Sequence, residues 1–195
     1  MTVLRITSGT LRGRKVPVPT HPLRPTSARA RQAFFNILGD RIVESVFLDL
    51  FCGSGIFTLE AVSRGARKAI AVDIEGRALR QIERIAAEWS LPITAIRGDA
   101  IAALRRPLGA DDIDIVFADP PYDFPRYREL AETIDSEVPV APGAVIGIEH
   151  RSGLNPFERV ELSRISFRKT ARYGDVSISI FDVDQDSARE DENRR

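Results

Sequence analysis

From residue 46 onward, short apolar runs alternate with amphipathic stretches, and most of the runs stop at a glycine or an aspartate. The runs Val46–Phe51, Ala69–Asp73, Ile93–Ile96, Ile113–Ala118 and Ala144–Glu149 read as strands buried on both faces. Between them, Gly55–Arg64, Gly76–Trp89, Ile101–Arg105 and Arg126–Asp135 read as helices, the second with Leu79, Ile82, Ile85 and Ala86 on one side. Two further strands are predicted over Glu161–Arg168 and Val176–Val183, with a turn near Tyr173-Gly174. Continuous apolar strands alternating with helices specify an α/β fold with a mostly parallel sheet covered on both faces. Ligands in such sheets bind beyond the carboxyl ends of the strands. Gly53, Asp73, Asp99 and Asp119 all stand where a strand has just ended.

The front of the chain has a different character. Residues 3–18 read as a hairpin of Val3, Leu4 and Ile6 against Val16 and Val18, turning near Gly9 or Gly13. A proline-rich connector runs from Pro17 to Pro25, after which Thr26 or Ser27 can cap a helix reaching Gly39. Phe34, Phe35, Ile37 and Leu38 form its apolar face, and Arg29 and Arg31 fall outside that face. The chain therefore divides into a hairpin-and-helix segment (1–40), a main domain (41–184) and an acidic tail without structure (185–195).

Charge follows the same division. The net charge is zero, yet Met1 to Gly39 carries seven basic residues and no acid, while Asp182 to Arg195 carries six acids against three arginines. Arg5, Arg12, Arg14, Lys15, Arg24, Arg29 and Arg31 are thus expected to contact phosphates, with Thr26 beside them. Two histidines and Cys52 give no metal-ligand cluster and no intrachain disulfide. No apolar run approaches the roughly 20 residues of a membrane span, and the N-terminus lacks a signal-peptide core. A cytoplasmic monomer, with no membrane partner and no metal, is the expectation.

The segment Asp49-Leu50-Phe51-Cys52-Gly53-Ser54-Gly55 follows a strand and opens a helix, so its glycines let a ligand approach the backbone. Asp73 ends the next strand 20 residues after Gly53, where an acid can accept hydrogen bonds from ribose hydroxyls. Asp99, followed by Ala100, can face an adenine amino group or cap the next helix. These residues do not separate a nicotinamide cofactor from S-adenosylmethionine, since both carry adenosine. Position 58 is Thr, however, so the third glycine of a pyrophosphate cradle is missing.

Asp119-Pro120-Pro121-Tyr122 gives the direction of the chemistry. The prolines fix their own φ and hold the preceding residues extended, so the backbone carbonyls of this edge point in set directions. An exocyclic amino nitrogen is a poor nucleophile because its lone pair is delocalised into the ring. Acceptors at Asp119 and the Pro120 carbonyl can hold its two N–H groups and aim the lone pair at a methyl donor. Tyr122 can stack on the base.

Taken together, these strings resemble the RsmD family, the bacterial 16S rRNA guanine-N2 methyltransferases. The resemblance covers about residues 3–183 and rests on Arg12-Gly13-Arg14, Leu23-Arg24-Pro25-Thr26, Arg29 to Leu38 with Phe35-Asn36, Asp49 to Gly55, Leu59-Glu60-Ala61, Ser63-Arg64-Gly65-Ala66, Asp119 to Tyr122, and Tyr173-Gly174-Asp175. It departs at Ala28 and Gln32, where the family carries acids. The resemblance implies a Rossmann-like class I methyltransferase with a seven-stranded sheet. It implies S-adenosylmethionine as donor and a guanine N2 of small-subunit rRNA, within an assembled subunit, as acceptor. Cofactor contact maps onto Asp49, Phe51, Gly53, Ser54, Gly55, Asp73, Asp99 and Ala100. Catalysis maps onto Asp119, Pro120, Pro121 and Tyr122, and rRNA contact onto Arg12, Arg14, Arg24, Thr26, Arg29 and Arg31. An adenine-N6 or cytosine-N4 methyltransferase of DNA or RNA is the alternative that the proline string suits equally.

Overall fold

The computed structural model describes residues 3–17, 28–110, 112–158 and 160–184. Arg24, Thr26, the proline-rich connector beyond Pro17 and the acidic tail lie outside them.

A seven-stranded sheet forms the centre, in the order β5-β4-β3-β6-β7-β9-β8. Its strands are β3 (Val46–Leu50), β4 (Lys68–Asp73), β5 (Ile93–Arg97), β6 (Ile113–Ala118), β7 (Val140–Arg151), β8 (Ile165–Tyr173) and β9 (Val176–Val183). The first five run parallel, and β9 returns antiparallel between β7 and β8. Order reverses at β3, which pairs with both β4 and β6, so the crevice of a switch point opens there.

Helices cover both faces. On one side α4 (Ala100–Leu104) and α5 (Tyr127–Glu137) bury Leu104, Leu130 and Ile134 against Leu48, Val116 and Ile146. On the other, α1 (Ala28–Leu38) and α2 (Ile56–Ser63) bury Phe34, Phe35 and Phe57 against Phe47, Phe117 and Val145. The stripe predicted on α3 (Gly76–Trp89) is the one buried, through Leu79, Ile82, Ile85 and Ala86. Phe34 approaches β7 so closely that a Cβ on Gly147 would lie 2.4 Å from its ring, which explains glycine at that position.

The hairpin is a separate two-stranded sheet of β1 (Val3–Arg5) and β2 (Lys15–Pro17). Strands this short are marginal alone. The C-terminal turn of α2 holds them: Thr10 N–H donates to Ser63 O at 2.8 Å, Leu11 N–H to the Ser63 hydroxyl at 2.9 Å, and that hydroxyl to Ser8 O at 2.5 Å. Gly9 lies flush on Ser63, where a Cβ would come within 1.7 Å of its carbonyl oxygen.

Two strand starts move from their predicted places, and β8 also runs on past Arg168 to Tyr173. β7 starts at Val140, ahead of Ala144, because Val140 pairs with Ile113 across a shift in register. β8 starts at Ile165, well after Glu161. The Asp135 carboxylate takes the backbone N–H groups of Ser163, Arg164 and Ile165 at 2.7–2.9 Å, holding the approach to the strand as a loop. No helix among the described residues is long and apolar enough to cross a membrane.

Candidate active site

The carboxyl ends of β3, β4, β5 and β6 meet on one edge. The turn after β3 is built from below. Asp49 is 1% exposed, and its Oδ2 accepts from the N–H of Thr58 at 3.0 Å and from its hydroxyl at 2.5 Å. Burial, with Asp119 and Asp73 nearby, pushes the Asp49 carboxyl up to about 7 against the pull of the Thr58 bonds. Asp49 therefore underpins the turn from beneath. Phe51 sits at φ 59°, a left-handed geometry unusual for an aromatic residue. Gly53 and Gly55 follow at φ 50° and 72°. A side chain on Gly55 would collide with Ile82 of α3 at 2.5 Å, so this glycine serves helix packing as well as the turn.

Asp73 ties the turn to β4. Its Oδ2 accepts the Gly53 N–H and its Oδ1 the Glu75 N–H, both at 2.8 Å. Its half-buried carboxylate lies beside Ile74, an apolar residue 65% exposed that the sequence reading passed over. Asp99 caps α4: it accepts the Ala102 N–H at 3.0 Å, and its other oxygen pairs with Arg126 at 3.2 Å. Ala100 is buried with the α4 core, which leaves only its backbone to meet a ligand.

The Asp-Pro-Pro-Tyr string lies against this turn. Asp119 N–H extends the β6 ladder to Leu50 O at 3.2 Å, putting residue 119 next to the start of the glycine turn. Pro120 is buried, Asp119 partly buried, and Pro121 and Tyr122 exposed. The ring of Phe124 meets Phe51 edge-on at 5.2 Å and Tyr127 at 5.3 Å. An aromatic wall thus joins the two loops, and neither Phe124 nor Tyr127 was singled out from sequence. Glu149, near the end of β7, is a third such residue.

The basic residues scatter. Arg29 is exposed on the first turn of α1, which runs from the site edge down to Leu38. Arg31 was expected on the outer face, but it is 1% exposed. Its Nε lies 3.6 Å from Glu60, and its NH2 donates to Arg5 O at 2.9 Å. Glu60 is itself fully buried and also holds Arg64 at 2.9 Å and the Thr7 N–H at 2.9 Å. Arg31 fastens the hairpin to α2 and is not available to phosphate, which corrects that assignment. Arg12 and Arg14 are exposed, but they lie by the final turns of α2 and α3, with Arg14 over the Trp89 ring at 4.5 Å. Both helices run away from the catalytic edge, so the structure does not bring these two arginines to it.

A seven-stranded sheet of this order, with a glycine turn beside an Asp-Pro-Pro-Tyr loop at its switch point, defines a Rossmann-type class I methyltransferase fold. Comparison with known proteins makes this more specific. The family described as conserved hypothetical protein 95 matches residues 4–182. Ribosomal RNA small subunit methyltransferase D of Escherichia coli is 34% identical over 148 residues, 75% of this chain and 74% of that one. Its counterpart in Haemophilus influenzae is 31% identical over 150 residues, 75% and 78% of the two chains. Among solved structures, an Escherichia coli protein assigned as a methyltransferase superposes with TM-score 0.81 at 29% identity, covering 94% of this chain and 99% of its own. The chain belongs to the RsmD family, that of ribosomal RNA small subunit methyltransferase D.

Proposed function

We propose that this protein transfers a methyl group from S-adenosylmethionine to the exocyclic N2 of a guanine in small-subunit (16S) rRNA. The observation that carries the reading is the Asp119–Leu50 backbone bond, which seats the acceptor-gripping string against the glycine turn. The names of the relatives support rRNA as substrate.

The residues present fit the donor. The glycine turn offers backbone at Gly53 and Ser54, Asp73 offers carboxylate lone pairs to ribose hydroxyls, and exposed Ile74 offers an apolar surface to a purine ring. Asp99 and the backbone of Ala100 lie beyond it. When bound, S-adenosylmethionine supplies an electrophilic methyl group on a sulfonium.

Asp119 and the Pro120 carbonyl accept from the two amine N–H groups, and Tyr122, 39% exposed, stacks on the base. Pro121 keeps the loop rigid. Asp119 takes the surplus proton as the nitrogen–carbon bond forms. The target base must stand outside any stack to reach this edge. Arg29, exposed on α1, contacts phosphate near the base, and Arg12 and Arg14 contact phosphates further along the RNA. With the hairpin and helix (1–40) packed on the main domain (41–184), specificity comes from the shape of an assembled small subunit, met in the cytoplasm by a monomer.

Mass spectrometry of rRNA nucleosides from cells with and without the gene tests this reading. Loss of one N2-methylguanosine from 16S rRNA is expected. Loss of a methylated adenine or cytosine instead would overturn the guanine assignment. In vitro, assembled 30S particles should be methylated and protein-free rRNA should not.

A further inference from the structure

Two carboxyl-bearing residues take neighbouring positions at the catalytic edge, and only one belongs to the Asp-Pro-Pro-Tyr string. Ala118 is registered against Ile148 in the parallel β6–β7 ladder, so Asp119 and Glu149 each follow by one residue. Gly147, two residues before Glu149, faces Phe34 of α1. Phe117, two residues before Asp119, packs on the same ring at 4.7 Å. Alternation along the strands puts both carboxyls on that face. Glu149 is 6% exposed, and its Oε2 is fully buried with no hydrogen-bond partner.

Its surroundings do not favour a second negative charge. Titratable groups reach it from the loop after β6, through Asp119, and from α5, through Tyr127, whose buried hydroxyl also has no hydrogen-bond partner. On the other side, β9 sets apolar Ile178 opposite. Burial first, and Asp119 second, push the Glu149 carboxyl up to about 9. A buried carboxyl and a partly buried neighbour cannot both ionise cheaply, and such neighbours titrate as a pair.

We infer that Asp119 and Glu149 work as a carboxyl pair holding one proton, with Glu149 the neutral positioning member that leaves a single negative charge facing the acceptor amine. The catalytic meaning of the pair rests on the proposed amine methylation, whereas its proton count does not. In that reaction the nitrogen lone pair forms the bond to the methyl carbon, and the carbon–sulfur pair returns to sulfur. The amine's surplus proton then passes to Asp119. The pair holds two protons until one returns to solvent as product leaves. Ionising Glu149 would drive the carboxylates apart and pull Asp119 from the amine.

Carbon-13 NMR of protein labelled at the glutamate carboxyls, with the signal assigned by Glu149→Gln, tests the proton count. At pH 7.5 the Glu149 signal should sit at the protonated position, and in Asp119→Asn its midpoint should fall. An ionised Glu149 at pH 7.5 overturns the inference. In turnover, Glu149→Ala should lose at least tenfold more kcat than Glu149→Gln, with the loss in kcat rather than KM. The ratio of Glu149→Gln to wild-type rate should climb as pH passes 9, because glutamine cannot ionise and the RNA's own titration cancels. A ratio flat in pH overturns it equally. If the NMR result holds but no guanine is methylated, the pair stands and the acceptor assignment falls.

Discussion

Thr58 gives both its backbone N–H and its hydroxyl to a single oxygen of Asp49, at 3.0 and 2.5 Å. The residue that breaks the dinucleotide fingerprint is thus the one that holds the glycine turn over a buried carboxylate. Thr58→Val should destabilise the fold by about 1–3 kcal/mol, the cost of leaving a buried acceptor short of a donor. The hydroxyl favours the ionised form, so its loss raises the Asp49 pKa above the present value of about 7. Below pH 7 both proteins hold the proton and the gap between them is small. It widens as pH rises past 7, where the wild type ionises with its partners in place and the variant does not. Urea denaturation at pH 6 and pH 8.5 checks this.

The same carboxylate makes a second prediction about pH. Its folded pKa lies above the usual value of 3.8, so the folded state binds more protons than the unfolded one between the two. Asp49 therefore costs stability progressively as pH climbs from about 4 to 7. Asp49→Asn removes the ionisation and keeps an acceptor for Thr58. Its melting temperature should gain on the wild type between pH 5 and pH 8, measured by calorimetry. A gain that shrinks with pH would reverse the assignment.

Asp119→Ala and Asp73→Ala should separate the two halves of the site. The first should lower methyl transfer about 10²–10⁴-fold and leave donor binding nearly intact. The second should weaken donor binding about 10–100-fold, since it also releases the Gly53 N–H. Tritium transfer and titration calorimetry on both variants give the comparison, and the opposite pattern would exchange their roles.

Arg29 and Arg31 stand two positions apart and should fail differently. Arg31→Ala should cost about 3 kcal/mol of folding stability, the low end for breaking a buried pair, because Glu60 keeps Arg64. Its folded fraction should bind RNA normally. Arg29→Ala should leave denaturation midpoints in place, weaken RNA binding and reduce the salt slope by about 0.7. Filter binding across a salt series, beside thermal melts, separates the two.

What sequence could give depended on the range of the cause. Strands and helices whose signal lies in their own periodicity, such as Gly76–Trp89, Ile113–Ala118 and Val176–Val183, have the predicted limits. β8 does not, because its start is set by Asp135, 28–30 residues earlier in the chain. Arg31 looked like surface since its partner, Glu60, lies on another helix. The positions of Arg12 and Arg14 were not legible, because charge says nothing about which end of α2 and α3 they approach. Glu149 was legible only as the last residue of a strand, and its nearness to Asp119 appears once β6 and β7 are aligned.

The fit of Gly9 against Ser63 leaves no room for even one methyl group. Residues 3–17 are consequently latched at a point where their own sequence offers nothing to adjust. Any larger residue there would push this turn off α2 and leave the hairpin hanging on Glu60 and Arg31, while the central sheet kept every rung of its ladder.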